Sequence, residues 1–417
     1  PVVSPAGVQE ILDYGHYAFE LSRFSGLWVG LKTMKDTIEV TAVVDAHIHR
    51  QVFQYPEIRK PDDGLNIRLV DTAAEQETRL LQYKVQAAEA FARANKIDRC
   101  VHSRADAKIG FVAAGKNWLD LVHALSLLNI DEAEAERLGI TTYKVAQTWP
   151  LDKLSLREWA EGLDLIVVVE EKRKLIEVQI KEALFDDSRA WRVYGGTKGL
   201  SGERLFPIEG ALDPIIVAEK LGAILIEEGC NNTGVDAGME RLSEARRLDN
   251  ASDIAARTPY FCAGCPHNSS TKLPEGSRAY AGIGCHFMAQ WMERETLGFT
   301  QMGGEGANWI GEEPFSTRSH VFQNLGDGTY NHSGILAIRA AVAANTNITY
   351  KILFNDAVAM TGGQDNDGGL TALRITQELI AMNVNEIALV YDEKEDIDLK
   401  AFPKTISRHE RAEMLDV

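Results

Sequence analysis

Two groups of residues in this sequence have types and spacings that can do chemistry. The first is Gly326-Asp327-Gly328, which follows an apolar, β-branched run, with Asn355 placed after the next such run, 26 residues lying between the second glycine and it. Both positions fall where strands are expected to end, and open parallel sheets bind ligands outside the carboxyl ends of their strands. Paired glycines let the backbone approach a ligand closely, and a helix starting there offers its amino terminus to an anion. Asp327 and Asn355 add two hard oxygens suited to Mg2+, which takes few protein ligands and fills its octahedron with phosphate and water. The constellation reads as a diphosphate held through a metal. Gly-Asp-Gly alone is also a common turn, and only its position after a strand argues for the site.

The second group is Cys262-Ala263-Gly264-Cys265-Pro266-His267, followed by Gly282-Ile283-Gly284-Cys285. Two cysteines two residues apart, in a turn bearing Gly and Pro, can clamp one metal centre, and a third from a strand end can join them. The residues leave four readings open. Cys262, Cys265 and Cys285 are structural thiols, or the first two form a redox pair, although Pro266 is out of place where such a pair should open a helix. They bind zinc with His267, only two residues after Cys265, or they hold an iron–sulfur cluster that needs a fourth thiolate. His267 either packs in the core or hydrogen-bonds a cofactor or a substrate carboxylate. Weaker candidates are Asp45, His47 and His49 as a metal pair at a strand end, and Glu170-Glu171 as a solvated helix start. His286 and His332, beside the two motifs, are expected to hydrogen-bond within their loops.

The elements that must position these residues read as alternating strands and helices. Ser4-Pro5 starts a helix that ends at Ser25-Gly26. Thr37–Val44 is rich in β-branched residues and reads as a strand, a polar loop runs to Gly64, and Glu75–Asn95 is strongly helical. From Lys108 the pattern is strand, Gly115, helix, and then the buried strand Leu165–Val169 and the helix Leu175–Leu184. The Gly-rich stretch Ala190–Glu209 is the linker candidate. A helix over Pro214–Glu228 and a polar segment to Arg257 follow. The last part reads as strand Ser277–Ile283, helix Phe287–Thr296, strand His320–Leu325, helix Ser333–Ala344, strand Thr349–Phe354, helix Leu370–Met382 and strand Glu386–Val390. Continuous apolar strands alternating with helices predict parallel sheets covered on both faces, an α/β class with several doubly wound sheets.

Composition bounds the rest. The 417 residues call for two or three domains, and a chain 45% hydrophobic and 25% charged has the makings of packed cores. The net charge of −17 argues against nucleic acid and anionic membranes as partners. Five cysteines, three of them within 24 positions, suit a local site in a reducing compartment rather than a disulfide framework. No apolar run approaches a membrane span and no leader is evident, so the expected location is cytoplasmic. The start without Met and the abrupt end at Val417 read as an internal piece of a longer polypeptide.

The run GDGTYNHSGILAIRAAVAANTNITYKILFNDAVAMTGGQ, from Gly326 to Gln364, resembles the thiamine diphosphate motif of the 2-oxoacid:ferredoxin oxidoreductases, most closely the indolepyruvate ferredoxin oxidoreductase branch. The resemblance implies that Asp327 and Asn355 bind Mg2+ by side chain and Ala357 by its carbonyl. It places Gly326, Gly328, Thr361, Gly362 and Gln364 against the cofactor, and it makes Cys262, Cys265 and Cys285 ligands of a [4Fe-4S] cluster whose fourth ligand lies beyond this chain. It implies residues 1–100 as the end of a pyrimidine-binding domain, 101–205 as a transketolase C-terminal-like domain and 206–417 as the diphosphate-binding domain. The glutamate that activates the aminopyrimidine belongs to the missing earlier part, so the chain is expected not to turn over alone. The implied activity is oxidative decarboxylation of a 2-oxoacid, an aryl pyruvate such as indolepyruvate favoured. Electrons would pass through the cluster to ferredoxin and the acyl group to coenzyme A, in a homodimer. The alternatives are a thiamine diphosphate-dependent decarboxylase without a cluster and a non-catalytic zinc-binding assembly domain.

Overall fold

The computed structural model describes residues 1–102, 106–186, 189, 191–199, 202–249 and 258–417. Ala190, Leu200 and Ser201 of the expected linker, and residues 250–257 of the expected polar segment, lie outside the described residues. The chain divides into two compact units, Pro1–Ser252 and Asp253–Val417.

The first unit is built on a five-stranded sheet in the order Arg99–His102, Ile140–Val145, Ile109–Ala114, Leu165–Val169, Arg192–Tyr194, parallel except at its first edge strand. Alternate side chains of the central strand enter different cores. Ile109, Phe111 and Ala113 pack with Leu165, Val167 and Val169 beneath the helices Gly115–Leu127 and Pro214–Glu227. Val112 packs with Tyr143, Val145, Ile166 and Val168 against Lys153–Ala160 and Leu175–Leu184. Burial on both faces is why these strands read as unbroken apolar runs. A third core, centred on Tyr14, Tyr17, Leu21 and Phe91, joins the helices Val8–Ser25 and Val85–Ala94.

Two readings need correction here. Thr37–Val44 is not a strand: Lys35–Ile38 makes one helical turn, in which the Met34 N–H donates to Thr37 Oγ1, and the residues after it are largely exposed. A β-branched run without a neighbouring strand gains little from its propensity. The polar segment after Glu228 contains the helix Thr233–Asp249, opened by Asn232, whose Oδ1 accepts the Val235 N–H at 2.9 Å. That helix and Pro214–Glu227 pack in the first unit.

In the second unit four parallel strands lie in the order Thr296–Phe299, Ala279–Ala281, Val321–Gly326, Ile348–Leu353. The helix expected over Phe287–Thr296 is a 3-10 segment, Cys285–Trp291, followed by the edge strand Thr296–Phe299. Phe287 meets Trp291 and Phe299 edge-on, at 5.4 and 4.9 Å between centroids, and folds that segment back over the edge. From Gly326 the chain turns directly into a helical run: Asp327–Thr329, a π turn Tyr330–Gly334, then Ile335–Ala343. Leu325, Tyr330 and Ile338 pack there against Ile375 and Leu379 of the helix Ala372–Ala381.

In the first unit Asp98 is buried and accepts the Ala146 and Gln147 N–H groups at 2.6 and 2.9 Å. Burial pushes its carboxyl up to about 7, against those hydrogen bonds. A folded pKa above the unfolded one means that this group's stabilisation is complete below the ordinary carboxylate range and is lost as the pH rises from there through about 7. The urea midpoint of the wild type should therefore fall relative to that of Asp98→Asn as the pH is raised over this window; a constant difference between the two would contradict the assignment.

Candidate functional site

Asp327 is the first residue after its strand and is 2% exposed. Its Oδ1 accepts the Gly328 N–H at 2.9 Å. Its Oδ2 accepts three donors: the N–H of Asn355 at 3.1 Å, the N–H of Asp356 at 2.7 Å and the side-chain amide of Asn366 at 3.0 Å. The parallel register, with Gly326 opposite Leu353, brings the two strand ends level and makes this bonding possible. Asn355 lies exposed on the rim, and its Oδ1 accepts the Ala357 N–H at 3.2 Å. Asp356 takes a φ of +55°, turning the chain sharply into the hairpin Ala357–Val358 with Gln364–Asp365. Gly328 is fitted to that hairpin: a Cβ there would lie 2.9 Å from Val358 Cγ2. The structure thus brings Gly326, Asp327, Gly328, Asn355 and Ala357 together. Thr361, Gly362 and Gln364 are exposed at the other end of the hairpin, where the Thr361 hydroxyl donates to Gln364 Oε1 and the Gln364 amide donates to the Thr361 carbonyl, both at 2.7 Å.

The cysteine segment approaches the same strand ends. Cys262-Ala263-Gly264-Cys265 forms a turn closed by the Cys265 N–H on the Cys262 carbonyl at 3.0 Å, and the short helix His267–Ser270 follows. Lys351 on the last strand fixes that helix by donating to the carbonyls of Ser270 and Lys272 at 3.0 and 2.8 Å, and burial pushes its ammonium down to about 8. Arg294 donates to Thr271 Oγ1 and the Asn268 carbonyl. Cys262 is exposed, while Cys265 and Cys285 are half-buried. Burial pushes the Cys285 thiol up, and Cys265 and Cys262 add to the shift. Among the described residues, however, no three His, Cys, Asp or Glu side chains converge to hold a metal ion. His267 is buried; burial lowers its pKa, and the charge of Asp327 opposes that shift.

Several participants carried no spacing signal. Asn366 completes the Asp327 cluster from beyond the hairpin. Glu305, wholly buried, accepts the Gly303 N–H at 2.6 Å and the Ile283 N–H at 3.5 Å, holding the loop before Cys285. His286, expected to bond within its loop, has no hydrogen-bond partner for either ring nitrogen among the described residues. His332 does bond locally, its Nδ1 lying 2.7 Å from Ser333 Oγ. Asp45 bonds the N–H of His47 and lies in an exposed segment, while Glu170 is partly buried and caps the helix Leu175–Leu184 through the Ile176 and Glu177 N–H groups.

The donor set at Asp327, a buried carboxylate, a rim amide and a nearby carbonyl, fits a hard cation such as Mg2+. The three thiols fit an iron–sulfur centre in residue type but do not converge geometrically. Two family models match the chain: an indolepyruvate oxidoreductase domain over residues 99–249, and the C-terminal TPP-binding domain of thiamine pyrophosphate enzymes over residues 282–404. The chain is similar to indolepyruvate oxidoreductase subunit IorA of Pyrococcus abyssi, at 26% identity over 95% of this chain and 62% of that protein. It is also similar to subunit IorA of Methanothermobacter marburgensis, at 22% over 93% and 59%. The chain therefore spans about 60% of the length of these curated relatives. A solved 2-oxoglutarate:ferredoxin oxidoreductase from Magnetococcus marinus is similar over 49% of this chain and 33% of that chain, at 12% identity and a TM-score of 0.26. The family matches bear out both the α/β class and the resemblance to the indolepyruvate branch.

Asp327→Ala removes the acceptor shared by Asn355, Asp356 and Asn366. With groups left unpaired at roughly 1–3 kcal/mol, denaturant unfolding should show the second unit weakened by about that amount. Amide exchange at Asn355 and Asp356 should accelerate at least about tenfold; unchanged exchange there would show that the carboxylate does not hold the segment.

Proposed function

We propose that this chain is the part of an indolepyruvate-type 2-oxoacid:ferredoxin oxidoreductase that holds thiamine diphosphate through Mg2+. The observation that carries the reading is the buried Asp327 carboxylate knitting together two parallel strand ends inside the segment that matches a TPP-binding domain. In this reading Asp327 and Asn355 offer side-chain oxygens and Ala357 its carbonyl to the cation. Gly326 and Gly328 would let the backbone close on the diphosphate, and Thr361, Gly362 and Gln364 would approach the diphosphate or the thiazolium side. Thiamine diphosphate held there would supply the carbanion and electron sink that decarboxylation of a 2-oxoacid needs. Around it the protein's work is to orient and to exclude water. His267, kept neutral by burial, donates or accepts one hydrogen bond toward the substrate carboxylate or the cofactor.

Cys262, Cys265 and Cys285 are proposed as three ligands of a [4Fe-4S] cluster, with the fourth outside this chain, passing electrons singly to ferredoxin while the acyl group goes to coenzyme A. Residues 1–100, 101–205 and 206–417 are proposed as pyrimidine-binding, transketolase C-terminal-like and diphosphate-binding parts of a cytoplasmic homodimer. Among the described residues no helix is long and apolar enough to cross a membrane. One observation favours a second reading, a thiamine diphosphate-dependent decarboxylase without a cluster: the three thiols do not converge on a common point.

Anaerobically purified full-length protein should contain about four iron and four sulfide per chain, lost on Cys262→Ser or Cys285→Ser; thiamine diphosphate binding without iron would select the second reading, and stoichiometric zinc without diphosphate binding would overturn both. In calorimetry with Mg2+, Asp327→Asn should weaken thiamine diphosphate binding by more than the roughly 10–100-fold cost of losing an outer-shell partner. Retained Mg2+-dependent affinity would remove Asp327 from the metal site.

A further inference from the structure

His286 is a buried polar side chain without a partner among the described residues. The residue is 2% exposed, and among the described residues neither Nδ1 nor Nε2 has a hydrogen-bond partner. The His267 ring lies 6.2 Å away between centroids, tilted edge-on. A neutral imidazole presents one donor and one acceptor.

Three glycines clear the space around this ring. A Cβ at Gly282 would lie 2.6 Å from Cε1, one at Gly284 2.9 Å from Nε2, and one at Gly326 3.3 Å from Nε2. Gly326 has φ −73° and ψ 151°, a conformation open to any residue, so its missing side chain serves space and not backbone freedom. The Nε2 edge therefore faces the ends of the strands Ala279–Ala281 and Val321–Gly326, one residue from Asp327. A buried polar group without a partner is costly, and such groups in folded proteins are normally met by a protein atom, water or ligand.

We propose that His286 is a ligand-binding residue whose Nε2–H donates to an anionic oxygen of the diphosphate seated at Asp327. The proposal rests on the thiamine diphosphate reading above and adds to it a residue that neither Mg2+ nor the cysteines require. Gly326 is open so that imidazole and anion meet across it, and Gly282 and Gly284 leave room for the ring beside the strand ends.

The test uses the full chain with Mg2+ and two probes, thiamine diphosphate and inorganic diphosphate, titrated calorimetrically. His286→Phe keeps the packing and loses the donor, and it should weaken both probes about 10- to 100-fold, the range for a hydrogen bond to a charged group. His286→Asn, which keeps a donor, should recover much of that loss. Independently of any variant, the ring nitrogens of His286 in the 15N-labelled wild type should shift in nuclear magnetic resonance spectra when Mg2+ and inorganic diphosphate are added. Wild-type binding with unmoved ring signals, or with equal affinity in a folded His286→Phe chain, overturns the role of His286 and leaves the thiamine diphosphate reading standing. Failure of the wild type to bind either probe overturns both.

Discussion

A carboxylate taken out of water survives only where fixed donors replace its hydration, and around Asp327 three of those donors come from beyond the end of the neighbouring strand. The segment after Leu353 would otherwise be a free loop on the rim. Instead the N–H groups of Asn355 and Asp356 point inward at one oxygen, and Asn366 returns from beyond the hairpin to share it. The position of Asn355, and through it that of Ala357, follows from this one buried charge. Sheet register comes first in the causal order, because a slip of one residue between Val321–Gly326 and Ile348–Leu353 would separate the carboxylate from its donors.

The cysteine-bearing side is fixed by a different device. Cations do the work there, with Lys351 and Arg294 anchoring backbone carbonyls of the segment behind His267, while Glu305 restrains the loop before Cys285 from within the core. Each tie joins a local turn to a strand or to a strand's flank. The two motifs, more than 40 residues apart in sequence, therefore end at the same strand ends because both are tied to one sheet.

How much of this was legible in the sequence depended on whether a feature was local. Strands buried on both faces, such as Leu165–Val169 and Val321–Gly326, announce themselves as apolar runs, and Asp327 and Asn355 were recognisable because each stands next to such a run. Thr37–Val44 had the same β-branched character with no sheet to join, which composition does not record. Thr233–Asp249 hid behind sparse apolar positions, and Cys285–Trp291 looked helical although its aromatic residues fold it over an edge strand. Asn366 and Glu305 enter through long returns of the chain, so no spacing rule finds them. His286 was visible as a residue beside a motif; its lack of a partner among the described residues is a property of three-dimensional packing alone.

Gly328 and Val358 touch across the gap between the helical run and the hairpin, with no room for another carbon. Natural variants that enlarge position 328 must trim position 358 or move the hairpin, and moving the hairpin drags Asn355 with it. The pair should accordingly drift in step among descendants of this sequence, with volume at one site traded against volume at the other, so that covariation there marks a steric lock and not a shared contact with any bound molecule.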